Sequence, residues 1–294
     1  MNSAAKSSAL RSSDVRRRFD RAAANFEEFD FVHTATRNGL LARLDPMVIE
    51  AKTVVDLGCA TGSACKPLTK RFRHAHIIAI DLSVRMLEQV RRKQSWFTRY
   101  SLLHANAYAI PLADQSVDVV FANQLLPWID DSAIVLGEIA RVLRKNGLFL
   151  FSTLGPDSLS ELRQAWRNAD TGAHVNHFPD MHDLGDAAVR AGLTDPVLDV
   201  DRLSVTYQDA GALFRDLTGC GARNCLANRN SAPVGKARFD AMAAALEQYG
   251  GESTIELDLE LIYGHCWGAG PRAHDGEIRI DSGRIGHRSQ RFEK

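Results

Sequence analysis

Apolar positions along this chain change period several times, and each change marks an element. Val15, Phe19, Ala22, Ala23 and Phe26 recur at helical spacing behind Asp14, which is expected to cap the first turn. A second helix is predicted from Phe31 to Leu44, stopped by Asp45-Pro46. Short apolar runs near 53–57, 76–81, 100–104, 118–122 and 148–154 alternate with helical stretches, the pattern of strands buried in a parallel sheet. Ser83 is expected to cap a helix reaching Lys93. The run Arg141-Val142-Leu143-Arg144-Lys145 reads as the end of another helix, with cations in its last turn and a stop at Gly147.

Beyond the fifth run the chain carries more than a minimal sheet needs. Leu154-Gly155-Pro156-Asp157 is predicted to cap a helix from Ser158 to Asn168, whose ridge is Leu159, Leu162, Ala165 and Trp166. A loop over 172–179 leads to a helix from Met181 to Ala191 and a sixth strand from Val197 to Tyr207. A helical insertion over about 209–249 precedes a last strand from Ile255 to Trp267. The expected fold is α/β: a doubly wound, mostly parallel seven-stranded sheet with helical cap insertions. One domain should occupy 14–267, with caps at about 155–180 and 209–249. A disordered leader (1–13) and a polar tail (268–294), part of which could extend the sheet edge, should flank it. Ligands bind such sheets at the carboxyl edge, so the insertions are placed to close over it and exclude water.

Composition narrows the field. At 294 residues and 45% apolar, the chain can bury a large core. A formal net charge of zero argues against nucleic acid as the main partner. No stretch approaches the ~20 apolar residues of a membrane span, and the N-terminus lacks a secretory apolar segment. Five scattered cysteines without paired metal-ligand spacing fit a reducing, cytoplasmic setting and no metal site.

The chemistry concentrates in Val54-Val55-Asp56-Leu57-Gly58-Cys59-Ala60-Thr61-Gly62. It reads as a strand that bends through glycines into a helix with unpaired N–H groups, followed by a second strand ending in Asp81. An acid at that end can accept both ribose hydroxyls of a nucleoside. The spacing is D-x-G-x-x-x-G rather than G-x-G-x-x-G, and Asp56 inside the turn would repel a pyrophosphate while suiting a cationic or zwitterionic ligand. This pattern resembles motif I of the S-adenosylmethionine (SAM) dependent methyltransferases, with Ala60 where a middle glycine is usual and an ordinary L-residue φ expected there. Leu103-His104-Ala105-Asn106-Ala107-Tyr108-Ala109-Ile110-Pro111-Leu112 resembles their adenine-binding segment, with an amide in Asn106 where an acid is usual. Ser116–Asn123 resembles their fourth strand, ending where the reacting methyl should lie. The resemblance implies SAM as cofactor, held by Asp56, Gly58, Cys59, Ala60, Gly62, Asp81, Leu82, Asn106, Ala107 and Asn123.

Methyl transfer from a sulfonium is an in-line displacement, which a protein assists mainly by alignment in a dry site. Phenols and amines generally need a base, whereas a carboxylate is ionised at neutral pH with a pKa of ~4. Asn123, Gln124, Pro127 and Trp128 lie near the expected methyl position and form no base dyad, which favours an acceptor that arrives anionic. No catalytic base is assigned. His104 and His177 are candidates for one, although a lone histidine is more often an ordinary surface or packed residue.

More specific likenesses lie outside the cofactor motifs. Phe19–Phe26, Phe151–Leu159, Glu161–Trp166, His174–Phe178 and Arg215–Asn224 resemble the malonyl-acyl carrier protein O-methyltransferases of bacterial biotin synthesis. The likeness runs over about 15–267, with Phe26 where that family usually has Tyr. It implies methylation of the free carboxylate of a malonyl thioester on an acyl carrier protein, hiding a charge that apolar synthase pockets would reject. Gln124, Trp128, Arg163 and His177 are then expected on the acceptor side, Arg163 as the planar fork for the carboxylate. The basic runs Arg16-Arg17-Arg18 and Arg91-Arg92-Lys93 are candidate docking sites for an acidic carrier. Two other likenesses stay open. Asp183–Asp186, Arg190–Leu193 and Gly221–Arg229 also resemble an arginine-hydroxylating assembly factor of respiratory complex I, and the core suits a small-molecule, quinone-type methyltransferase.

Overall fold

The computed structural model describes residues 10–95, 100–227, 229, 234–249 and 254–270; the predicted leader up to residue 9 and the tail from 271 lie outside them. Seven strands form one sheet: β1 (Thr53–Leu57), β2 (His76–Asp81), β3 (Ser101–His104), β4 (Val117–Asn123), β5 (Leu143–Leu154), β6 (Leu193–Tyr207) and β7 (Ile255–Gly268). Their order is β3-β2-β1-β4-β5-β7-β6. The first five pair in parallel, and β7 runs antiparallel to β5 and β6. The chain reverses its direction of winding between β1 and β4, which opens a crevice at their carboxyl ends.

Alternation along each strand sends side chains to two helical layers. Val54, Val119 and Phe121 face a core shared with α2 (Phe31–Leu44), α3 (Cys65–Arg71) and α4 (Val84–Lys93). Val55, Leu57, Val120 and Ala122 face a second core with α5 (Ser132–Val142) and α7 (Met181–Ala191). Phe121, Phe149 and Phe151 are fully buried between these layers, each contributing about 2–3 kcal/mol by leaving water. A third cluster forms the cap. Leu162 and Trp166 of α6 (Ser160–Ala169), Leu213 of α8 (Ala210–Gly219) and Met242 of α9 (Lys236–Leu246) pack on Ile255 and Leu257 at the start of β7. Ala22, Ala23 and Phe26 pack with Met86 of α4 and Cys220 of the cap, so α1 (Ser12–Ala22) joins sheet and cap. No helix among the described residues is long and apolar enough to cross a membrane.

Several boundaries differ from the sequence reading. Asp14 does not cap α1; it lies inside the helix, buried, where Arg229 donates to it at 2.7 Å and Arg17 pairs with it. Residues 10–13 are ordered: Leu10 bridges Leu226, and α1 begins at Ser12. The helix expected to run to Lys145 stops at Val142, because Leu143 already pairs with Val117 and Arg144 is drawn to Asp118 at 2.5 Å. No side chain caps α6. Glu260 holds its approach by accepting from the N–H groups of Gly155 (2.9 Å) and Asp157 (3.0 Å), and Leu159 enters the helix at φ 57°. β6 starts at Leu193, earlier than expected, and the 209–249 insertion divides into α8 and α9.

Candidate functional site

The crevice is built on the bend after β1. Gly58 and Gly62 adopt φ of 75° and 78°, and a Cβ on them would come within 3.0 Å of Leu125 and 2.9 Å of Val90. Ala60 also takes a left-handed backbone, φ 47°, not the ordinary conformation expected of it. The bend brings the Ala60 N–H to one oxygen of Asp81 at 2.9 Å, while the Ser83 N–H takes the other at 2.7 Å. An ionised carboxylate has about four acceptor positions, so each oxygen keeps one beyond these bonds. Burial pushes Asp81 up to about 6. Asp56 is 2% exposed, accepts from the Cys65 thiol at 3.5 Å, and is pushed by burial to about 7.

These residues line an open cavity that holds about 1000 Å³ of space, its solvent-filled mouth included. Asp56, Gly58, Cys59, Ala60, Asp81, Leu82, Asn106, Ala107 and Asn123, all expected there, share its wall. Gly62 does not; it serves the bend by letting α4 pack close at Val90. One set of lining residues escaped the sequence reading: Asp30 at the N-cap of α2, with His33 and Arg37 on the same face of its first turns at i, i+3 and i+7. That polar stripe on a helix buried by Leu40 and Leu44 was the available signal. Arg37 stands 3.9 Å from Asp30 and brings a cation to a cavity that is otherwise acidic.

A second open cavity, about 1250 Å³ with its solvent-filled mouth included, lies under the cap and is walled by Phe29, Val32, Leu162, Trp166, Phe178 and Leu257 among others. His33, Gln124 and Trp128 line both cavities and mark where they meet. This seam is held by a short chain of hydrogen bonds. The Gln124 N–H donates to the carbonyl and hydroxyl of Ser152, both at 3.1 Å. Ser152 donates to Asn123 Oδ1 at 2.8 Å, and Asn123 Nδ2 donates to the His33 carbonyl at 2.9 Å. Asn123 therefore fixes α2 to the tip of β4. His33 is held down to about 4 by burial and the nearby Arg37, so its ring is neutral at physiological pH.

Two acceptor-side expectations are corrected. Arg163 lines neither cavity; its guanidinium donates back to the carbonyls of Ser158 at 3.3 Å and Pro156 at 3.5 Å. His177 is exposed and outside both walls. The cap cavity is lined instead by Arg223, lying over the Phe214 ring at 4.9 Å, and by His174, stacked on Trp166 at 3.8 Å and bonded to Asp170 at 2.7 Å. His104, the other candidate base, also lines neither cavity and bonds the Leu82 carbonyl at 3.0 Å.

Residues 55–151 match the family described as a methyltransferase domain. The malonyl-[acyl-carrier protein] O-methyltransferase of Methylovorus sp. is 38% identical over 86% of this chain and 88% of its own length. That of Halorhodospira halophila is 37% identical over 91% and 92%. A solved Haloferax volcanii complex of the Trm112 methyltransferase activator with a putative methyltransferase matches 88% of this chain and 100% of its own, with TM-score 0.55 at 22% identity, a likeness of fold. With relatives this similar over nearly its whole length, the chain belongs to the malonyl-[acyl-carrier protein] O-methyltransferase family of SAM-dependent methyltransferases.

Proposed function

We propose that this chain methylates the free carboxylate of a malonyl thioester carried on an acyl carrier protein, an early step of biotin synthesis, in the cytoplasm. The lining residues of the first cavity suit SAM. Asp81 offers free lone pairs to a ribose, and Asp56, Asp30 and Arg37 surround a space fit for a zwitterion bearing an extra positive charge. Held by Asp81, Asp56, Asp30 and Arg37, SAM would supply an electrophilic methyl carbon to a carboxylate oxygen, with its own sulfur as leaving group and no proton to be moved by the protein.

The observation that carries the reading is the seam. It joins a charged cavity to an apolar one, and among the described residues the imidazole both walls share is a weak base. His33, the imidazole shared by both walls, is held near 4, too weak to deprotonate a phenol or amine efficiently. An acceptor that is already anionic needs none. The apolar wall of the second cavity suits the arm and thioester behind that carboxylate. α1 packs beside α4, and Arg16, Arg17, Arg21, Arg91 and Arg92 are exposed on them, a basic surface suited to an acidic carrier.

The test is to incubate protein and SAM with malonyl-carrier protein and weigh the carrier by mass spectrometry. A gain of one methyl is expected, with a rate at subsaturating carrier that falls as salt rises. A carrier that stays unmodified, or equal transfer to a carrier-free quinone precursor, would overturn the reading.

A further inference from the structure

Four buried side-chain polar atoms of the described residues have no partner: Glu161 Oε2, Asn176 Oδ1 in the wall of the cap cavity, and two at the seam, Gln124 Nε2 and His33 Nδ1. Gln124 is 5% exposed, and an amide N–H left without a partner in such a place costs about 1–3 kcal/mol. Its backbone is also strained, a non-glycine residue at φ 55° pinned by both acceptors of Ser152. His33 keeps part of its ring accessible where it lines the cavities, while Nδ1 itself is covered. Phe26 packs against this ring at 5.0 Å, and Asn123 fixes its backbone. Strain and unpaired donors persist where the rest of a structure over-determines them, and two of the unpaired atoms meet a strained backbone at the seam between the cavities.

We infer that Gln124 Nε2 and His33 Nδ1 are the paired donors that hold the acceptor carboxylate across the seam, orienting one oxygen toward the methyl group. The inference rests on the proposed function and assigns its acceptor site. A neutral imidazole can donate through Nδ1 while its other nitrogen stays bare, so the pair binds an anion by hydrogen bonds without neutralising it. That matters because a full ion pair would blunt the nucleophile that must attack. Arg223 is the cation of the cap cavity, yet it lines that cavity alone and is absent from the seam. The two donors also provide specificity. A methyl ester has lost the charge that strengthens both bonds, so product should be released from the seam more readily than substrate.

The experiment compares Gln124→Leu, His33→Leu, His33→Asn and Arg223→Leu with the parent protein, measuring KM and kcat for malonyl-carrier, inhibition by the methyl-ester carrier, and S-adenosylhomocysteine affinity by calorimetry. Each leucine variant at the seam is expected to lower kcat/KM by about 10- to 100-fold, the worth of a hydrogen bond to a charged group. Preference for acid over ester should collapse while S-adenosylhomocysteine affinity stays within about threefold, the scatter expected of a neighbour making no cofactor bond. His33→Asn, whose amide can stand near Nδ1, should recover most of the loss. A purely structural role would weaken acid, ester and cofactor together, and that result overturns the inference, as does full activity in both leucine variants. It falls equally if Arg223→Leu alone erases the acid preference. A parent protein inert on malonyl-carrier sinks the proposed function first, and this assignment with it.

Discussion

Ala60 holds a left-handed backbone in a loop where Gly58 and Gly62 hold the same region at no steric cost. For an L-residue that conformation costs about 1–2 kcal/mol. Placing glycine there gives back about 0.4–1 kcal/mol through the looser unfolded chain. Ala60→Gly should therefore stabilise the protein by about 0.5–1 kcal/mol in chemical denaturation. Gly58→Ala should do the reverse. It puts a Cβ at 3.0 Å from Leu125 with φ at 75°, and should cost about 1–2 kcal/mol together with much of the SAM affinity measured by calorimetry. An Ala60→Gly protein less stable than its parent would show that the loop is not strained. The glycine spacing was legible in the sequence because glycine advertises such turns. Which intervening residue shares the left-handed region was not, since Ala60 is chemically silent about its own φ.

At the scale of elements, one buried hydroxyl ties three together. Ser83, 1% exposed, accepts from the Met86 N–H at 3.1 Å to cap α4 and donates to Asp20 of α1 at 2.6 Å, while its own N–H braces Asp81. Ser83→Ala removes the cap and leaves Asp20 without its donor, so a loss of about 1–2 kcal/mol is expected in urea unfolding. A change under about 0.5 kcal/mol would mean that the cap is redundant. The elements read correctly from sequence are those whose limits are set locally. α2 stops at Asp45-Pro46, α4 starts at Ser83, and α7 runs from Met181 to Ala191. Those misread are governed by distant partners. Asp14 answers to Arg229, the entry to α6 answers to Glu260, and the end of α5 answers to the pairing of Leu143 with Val117. The site divides in the same way. Motif residues carried by strand ends fall into one crevice, whereas His177, in a loop whose course no periodicity fixes, is exposed, and Arg163, on α6, turns back to the carbonyls of Pro156 and Ser158 instead of a cavity.

Across the whole molecule, the cofactor cavity holds proton-binding groups that ligand binding must reset. Burial raises Asp56 to about 7 and Asp81 to about 6. A carboxyl raised on folding adds stability that is complete below its unfolded pKa of ~4 and is lost as pH rises through its folded value. The free protein therefore gives up stability on going through about 6 and 7. His33 works in the opposite direction: lowered to about 4, it favours the fold above ~6.5 and withdraws that support as pH falls toward 4. The two trends overlap in a stability curve, so the cleaner measurement is binding. On the proposal that SAM is held by ionised Asp56 and Asp81, its affinity should climb at least about tenfold between about pH 5.5 and about pH 7, with protons released on binding. Calorimetry in two buffers of different ionisation enthalpy would count those protons. Asp81→Asn should remove the component near 6 and weaken SAM at every pH, because the amide presents a donor where the ribose needs an acceptor. An affinity that is flat across this range, with no buffer dependence, would mean that the carboxylates are already ionised before the cofactor arrives, and that the crevice is wetter than its packing implies.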